Sequence, residues 1–316
     1  MSSADAPAAN DAAISPSSGD AVPRFMSVRQ AANYLQVNEK KIYSLANSGL
    51  IPATKLTGKW LFPRDLVDQW LLESSHGGLL SDRMVVAGSD DPVLYRALTH
   101  TASELQGQAV VSYATTGTQL GLNLLAQGRA DVCGLHWGPA TESQRRHPAL
   151  LRHYVQNRDW VLVRLFRREQ GLVMTPGLWT AGRRIEDLFS QDVRWCDRQE
   201  GAGSHRFLQE VINAHRVDPA DRRITSHAHT ERDAASSIAM GLADVAPGIR
   251  AIATEFGLDF YSIGWECFDL AMCRAIFFRT LFRRVLDRLR SPECQRLAQL
   301  LGGYDTQELG ELVWSA

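Results

Sequence analysis

Lysine is nearly missing from this 316-residue chain: Lys40, Lys41, Lys55 and Lys59 are all it has, and all four fall inside residues 26–72. Nowhere is there a run of about 18 apolar residues, which excludes a membrane-spanning helix. The five cysteines (Cys133, Cys196, Cys267, Cys273, Cys294) are odd in number, widely spaced and form no C-x-x-C. That pattern argues against a disulfide framework or a zinc site and for reduced, mostly buried thiols in a cytoplasmic protein. Residues 1–23 lack both a basic region and an apolar core, so no signal peptide or anchor is expected there; their Ala, Ser, Pro and Asp content predicts a disordered lead. No serine, cysteine or carboxylate pair stands at a catalytic spacing, so no catalytic residue is assigned. Two histidines at i, i+2, His227 and His229, have no third ligand nearby and read as surface residues, so no metal site and no cofactor is expected.

What is present is an uneven distribution of charge. The whole chain sums to −1, but residues 24–73 carry seven Lys/Arg (Arg24, Arg29, Lys40, Lys41, Lys55, Lys59, Arg64) against Glu39, Asp65, Asp68 and Glu73, a net of +3. Only this leading module suits a polyanion such as double-stranded DNA. The chain is long enough for about two domains.

Local signals in residues 26–72 are clear. Ser27 followed by Gln30 is a capping-box pattern that starts a helix at Val28 and buries Val28, Ala31, Ala32 and Leu35. Asn38 caps a second helix, in which Ile42, Leu45 and Ala46 share one face. This leaves Lys40, Tyr43, Ser44 and Asn47 on the opposite face, with Lys41 at its edge. Gly49 stops that helix. Thr57-Gly58 is a two-residue hairpin turn between runs 53–56 and 59–62. Pro63 opens a third helix with Leu66, Val67, Trp70 and Leu71 as its apolar stripe.

This stretch, SVRQAANYLQVNEKKIYSLANSGLIPATKLTGKWLF, resembles the winged helix-turn-helix of excisionase and MerR-like regulators. The resemblance implies that the second helix enters the major groove and the hairpin wing touches the backbone. Nine residues at about 1.5 Å each make a helix of roughly 13 Å, comparable to the groove. Lys40, Tyr43, Ser44 and Asn47 are then expected near base edges, Lys41, Lys55 and Lys59 on phosphates, and Arg29 among the DNA-binding residues.

Residues 74–83, with Gly77-Gly78 at their centre, read as a linker. Beyond them strands and helices alternate: strands at 84–87, 109–113, 130–135, 160–166, 171–175, 193–196, 243–246 and 260–263, with helices between, then an apolar stretch at 268–278 and a helix at 281–290. That is the pattern of a parallel α/β domain. The stretches GRADVCGLHW, FRREQGLVMTPG, VRWCDRQEGAGSHRFLQEVI, GLADVAPGIRAIATEFGLDF and SPECQRLAQLLGGYD resemble the periplasmic-binding-protein-like domain related to molybdate-binding proteins. The likeness spans roughly 84–310. It implies a fold with a small N-terminal winged helix-turn-helix (24–73) followed by a two-lobed α/β effector domain (84–316). Lobe one would combine about 84–165 with 248–316; lobe two would be about 171–246.

In such sheets ligands bind beyond the carboxyl ends of strands, where helix N-termini present free N–H groups. Four loops qualify: Gly88-Ser89, Thr116-Gly117-Thr118, Gly201 to Ser204, and Gly248-Ile249. Glycine allows close backbone approach and the hydroxyls donate, which suits a compact oxyanion held by neutral donors. Effector contacts are therefore expected at Ser89, Thr116, Gly117, Thr118, Gly201, Gly203, Ser204, Gly248 and Ile249. Relatives often show GSGTR where this chain has Gly201-Ala202-Gly203-Ser204-His205, so His205, also an expected effector contact, replaces a permanent cation with a titratable ring. His136, just past a strand end, is a further candidate donor or a structural histidine. The Arg164, Arg167, Arg168 cluster reads as a solvated strand edge. The resemblance implies a cytoplasmic transcription regulator sensing molybdate or tungstate, acting as a homodimer or higher oligomer; an enzyme or binding protein of molybdenum cofactor metabolism with an autoregulatory DNA-binding module is the alternative.

Overall fold

A computed structural model describes residues 23–75 and 83–316. The expected disordered lead (1–23) therefore lies outside the described residues apart from Pro23. So does the linker, except that residues 74 and 75 continue a helix and Arg83 opens a strand. Contacts divide the chain into two compact units, Met1–Asp68 and Gln69–Ala316.

The first unit runs β1 (Phe25–Met26), α1 (Val28–Tyr34), α2 (Glu39–Asn47), β2 (Thr54–Leu56), β3 (Lys59–Pro63) and the first residues, to Asp68, of α3 (Arg64–Ser75), with an antiparallel sheet ordered β1-β3-β2. The capping box is formed: Ser27 N–H donates to Gln30 Oε1 at 2.9 Å and Gln30 N–H to Ser27 Oγ at 3.4 Å. At the end of α2, Gly49 takes φ +66°, with Gly49 N–H on Ala46 O and Leu50 N–H on Leu45 O, the paired bonds of a Schellman stop. Thr57 and Gly58 both have positive φ, as a type I′ hairpin turn requires. Met26, Ala31, Ile42, Ile51, Phe62 and Val67 form the core, and Tyr34 donates to Asp68 Oδ1 at 2.6 Å, fastening α1 to α3. In α3, Val67 is buried and Leu66 and Trp70 partly so, but Leu71 is exposed, a departure from the expected stripe.

The second unit contains β4 (Arg83–Gly88), α4 (Pro92–Glu104), β5 (Val110–Thr115), α5 (Thr118–Ala126), β6 (Val132–Leu135), α6 (Ser143–Leu151), β7 (Trp160–Met174), β8 (Arg194–Arg198), α7 (Gly203–His215), β9 (Arg223–Ala228), α8 (Glu231–Ala239), β10 (Val245–Ile249), α9 (Arg250–Phe256), β11 (Asp259–Cys273), α10 (Arg274–Phe278), α11 (Thr280–Arg290), α12 (Pro292–Leu301), β12 (Tyr304–Asp305) and β13 (Leu312–Ser315). Its sheet is ordered β5-β4-β6-β11-β7-β10-β8-β9, with β12 and β13 also on β7. β4 is parallel to β5 and β6, and β8 is parallel to β9 and β10. β7 and β11 are antiparallel to each other along their whole length. The C-terminal part of β11 pairs with β6, and the C-terminal part of β7 pairs with β10. The domain is thus two-lobed: a parallel lobe on each side, joined by two 15-residue strands.

Those two strands revise the sequence reading. The runs 160–166 and 171–175 are one strand, and the return strand continues from 260–263 through 273, with only the end of the stretch 268–278 turning helical. The charges within these strands are matched across the ladder: Arg168 stands opposite Glu266 and Arg164 opposite Asp269. Opposite charges at facing positions neutralise each other and let the strand stay buried. Arg164 and Arg168 are 3% and 0% exposed, so the arginine cluster is not a solvated edge; of the three, only Arg167 keeps its side chain substantially in solvent.

Candidate functional site

Arg29 on α1, Lys40, Lys41, Tyr43, Ser44 and Asn47 on α2, and Lys55 and Lys59 on the hairpin are all exposed. The apolar side of α2, Ile42 and Ala46, is buried, so amphipathic spacing decides which side chains are left for a partner. Lys55 rests its ammonium over the Trp60 ring, 5.7 Å from the centroid, across the hairpin.

In the second unit, three strand-end loops of lobe one are tied into a single frame. Ser89 N–H donates to Gly134 O at 2.8 Å, Gly88 N–H to Thr116 Oγ1 at 3.2 Å, and Gly117 N–H to Gly88 O at 2.9 Å. Gly88 sits at φ +113°, and a Cβ there would lie 2.1 Å from Gly134 O, so no other residue fits. The Ser89 and Thr118 hydroxyls share a hydrogen bond of 2.9 Å, and Thr118 Oγ1 also reaches His136 O at 3.4 Å. Lobe two meets this frame directly. Gln199 Nε2 donates to Thr116 O at 2.9 Å, and Gln119 N–H donates to Gly201 O at 3.3 Å. A Cβ on Gly203 would lie 2.4 Å from the His136 ring.

Ser89, Thr116, Gly117, Thr118, His136, Gly201, Gly203 and Ser204 are therefore gathered where the two lobes meet. Among the described residues neither α5 nor α7 has a side-chain cap, one α5 first-turn N–H, that of Gln119, is taken by Gly201 O, and the two N-cap residues meet: a Cβ on Gly117 would lie 3.6 Å from Ala202 Cα. Helix N-termini carry unsatisfied N–H groups and a partial positive charge, so two converging there favour an anion. His205 lies beside them, with Nδ1 3.0 Å from Arg198 O. Gly248 and Ile249 serve the sheet: Gly248 abuts Val173 across the β10–β7 ladder, and Ile249 packs in the hydrophobic core.

A second layer was not anticipated from the sequence. His136 Nδ1 is 2.6 Å from Glu266 Oε2. Arg168 pairs with Glu266 through both Nε and Nη2, and its Nη1 reaches Asp91 Oδ2 at 3.1 Å and Asp90 O at 3.0 Å. Tyr304 donates to Asp91 Oδ2 at 3.0 Å. From lobe two, Arg198 donates to Ser204 Oγ at 3.0 Å and Ala228 O at 2.8 Å, and Glu231 Oε1 is 3.8 Å from His136 Nε2. Arg168, Asp91 and Glu266 are 0% exposed and Glu231 is 3%. Burial alone would raise the Glu266 carboxyl, but His136 and Arg168 outweigh it and hold it below the usual range. Burial pushes the Glu231 carboxyl up, against the opposing pull of Arg168 and His136. The signal for this layer was a pair of charged residues at same-face positions of one strand, Arg164 and Arg168, with Glu266 in the strand that pairs with it.

Residues 25–75 match a helix-turn-helix domain and residues 100–290 match a PBP superfamily domain. The chain is 21% identical over 306 residues to an uncharacterized protein, YvgK, of Bacillus subtilis (strain 168), covering 91% of this chain and 97% of that one. Among solved structures it is similar to a cysteine-to-serine mutant of Corynebacterium glutamicum OxyR with hydrogen peroxide bound (13% identity, TM-score 0.49, 90% of this chain and 94% of that one). It is also similar to the tungstate ABC transporter from Geobacter sulfurreducens (14% identity, TM-score 0.49, 69% and 98%). With most of its length in the 100–290 match, the chain belongs to the PBP superfamily domain family and carries a helix-turn-helix domain ahead of it.

Proposed function

We propose that this protein is a one-component DNA-binding transcription regulator that senses a small oxyanion in the cleft of its two-lobed domain. The observation that carries the sensing half is the meeting of the α5 and α7 N-termini, neither with a side-chain cap among the described residues, beside His136 and Ser204. The exposed α2 and hairpin lysines support the DNA half, with Lys40, Tyr43, Ser44 and Asn47 near base edges and Lys41, Lys55 and Lys59 on phosphates. Sequence resemblance makes molybdate and tungstate the first anions to try. Binding closes lobe two, about 171–246, on lobe one, and closure changes the spacing of two DNA-binding modules in a cytoplasmic homodimer. For this to work the anion must bind one lobe arrangement better than the other. Thermal-shift screening with molybdate, tungstate, sulfate, phosphate and formate, followed by DNA titration with any anion that stabilises the protein, tests the proposal. DNA affinity that is unchanged by every such anion refutes it.

A further inference from the structure

We infer that the cleft selects a small anion that brings its own hydrogen-bond donor, with Glu231 as the acceptor. This rests on the reading that the cleft takes an anion. Glu231 opens α8 and is 3% exposed, and its Oε2 atom is buried with no hydrogen-bond partner among the described residues. Its Oε1 lies 3.8 Å from His136 Nε2, too far for a hydrogen bond. Cations nearby are already engaged: Arg168 on Glu266, Asp91 and the Asp90 carbonyl, Arg198 on Ser204 and the Ala228 carbonyl. A buried carboxylate oxygen left without a donor is costly, and the cost is relieved only if something entering the cleft donates to it.

The surroundings restrict what that something is. The His136 ring lies 3.8 Å from Glu231 Oε1 on one side and against the first residue of α7 on the other, so the carboxyl borders the place where the two helix N-termini converge. An occupant therefore meets partial positive charge from the helices and a lone pair from Glu231. A fully deprotonated dianion such as sulfate, molybdate or tungstate satisfies the first and is repelled by the second. An anion carrying a proton or a hydroxyl satisfies both. Two sources share this chemistry: a protonated tetrahedral oxyanion such as hydrogen phosphate, and a small hydroxy acid.

Matched pairs separate the possibilities. Calorimetric titration of the full chain at pH 7 compares phosphate with sulfate, which differ in the proton, and glycolate with acetate, which differ in the hydroxyl; molybdate and tungstate form a third arm. The donor-bearing member of at least one pair is expected to bind about tenfold tighter or more, the worth of one hydrogen bond to a charged group. The first pair identifies an inorganic oxyanion, the second an organic acid. Glu231→Gln, which can donate where the carboxylate cannot, is expected to shrink that ratio about tenfold and to improve sulfate or molybdate binding. Equal binding within both pairs, or a ratio unchanged in a folded Glu231→Gln, overturns the inference; if that variant does not fold, the wild-type pairs decide alone. Tight binding of sulfate, molybdate or tungstate without a donor preference overturns it while leaving the oxyanion reading standing. Failure of every anion removes that reading, and this inference with it.

Discussion

The helix-turn-helix unit and the cleft present polar chemistry in opposite ways. In the first, the side chains offered to a partner sit on α1, α2 and one hairpin and are exposed. In the second, the corresponding groups come from segments as far apart as Asp91 and Tyr304 and are mostly buried. The contrast follows from solvation. An exposed lysine keeps its water until a phosphate arrives, so its contribution is long-ranged and sensitive to salt. A buried charge must be neutralised by the fold itself, and a ligand meets only what is left over. Where the lobes meet, Arg168, Glu266, His136 and Asp91 satisfy one another, while Glu231 keeps one oxygen without a hydrogen-bond partner among the described residues.

The largest test of that contrast is Arg168. Arg168→Leu leaves Glu266 and Asp91 buried without their cation and is expected to lower stability by about 3–5 kcal/mol, whereas adding Glu266→Leu should recover much of it. Urea unfolding measures both; a single mutant that loses under about 1 kcal/mol would mean that the ion network is not needed in the buried domain. Next comes Gly203→Ala, whose methyl group meets the His136 ring. Overpacking of roughly 1–3 kcal/mol should oppose lobe closure, weakening anion binding but leaving anion-free DNA binding intact. Weakened DNA binding in that variant, measured without anion, would blur the separation of the two units.

Lys40→Ala with Lys41→Ala is expected to cost on the order of tenfold in DNA affinity and to flatten the salt slope by roughly one to two, with anion binding unchanged. Normal DNA binding by this double variant would move the recognition surface off α2. The smallest effect concerns pH. Burial raises the Glu231 carboxyl, so the folded state holds its proton more tightly than the unfolded chain does. That stabilisation is complete below the ordinary glutamate value, about 4.3, and is lost as pH rises through the folded value. Asp90 is raised in the same way, whereas Glu266 is lowered and acts only toward acid. The stability of Glu231→Gln relative to wild type should therefore increase with pH above that point, as read from melting temperatures across a pH series. A flat difference would show that Glu231 is satisfied after all.

Legibility differs between the units for the same reason. Ser27, Gln30, Asn38, Gly49 and Thr57-Gly58 act within a few residues of themselves, so caps, stop and turn can be read directly from the order of amino acids. The glycine-hydroxyl loops of the cleft are also visible, because strand ends followed by Gly and Ser or Thr are local signals. Their convergence is not, and Gly248-Ile249, with the same local signature, joins the sheet instead. Arg164 and Arg168 read as solvated because their neutralising partners lie about a hundred residues downstream. Helix α6 and strand β9 carry no signal strong enough to mark them, β9 being a largely exposed strand without clear alternation, whereas α12 is bracketed by Ser291-Pro292 and Gly302, a local signal that the sequence reading passed over.

By itself, the sequence determined the order and kind of the elements in the basic unit, the two-lobed α/β class behind it, and which loops were able to approach a ligand. Each of those follows from periodicity, capping, glycine placement or resemblance carried within one segment. Only the tertiary structure decided which loops come together, that three apparent strands and an apolar stretch make two long strands spanning both lobes, and that Glu231 is buried with an oxygen unmatched among the described residues. Those outcomes depend on pairing residues far apart in the chain, where burial turns a charge that is neutral to stability in water into one that must find a partner.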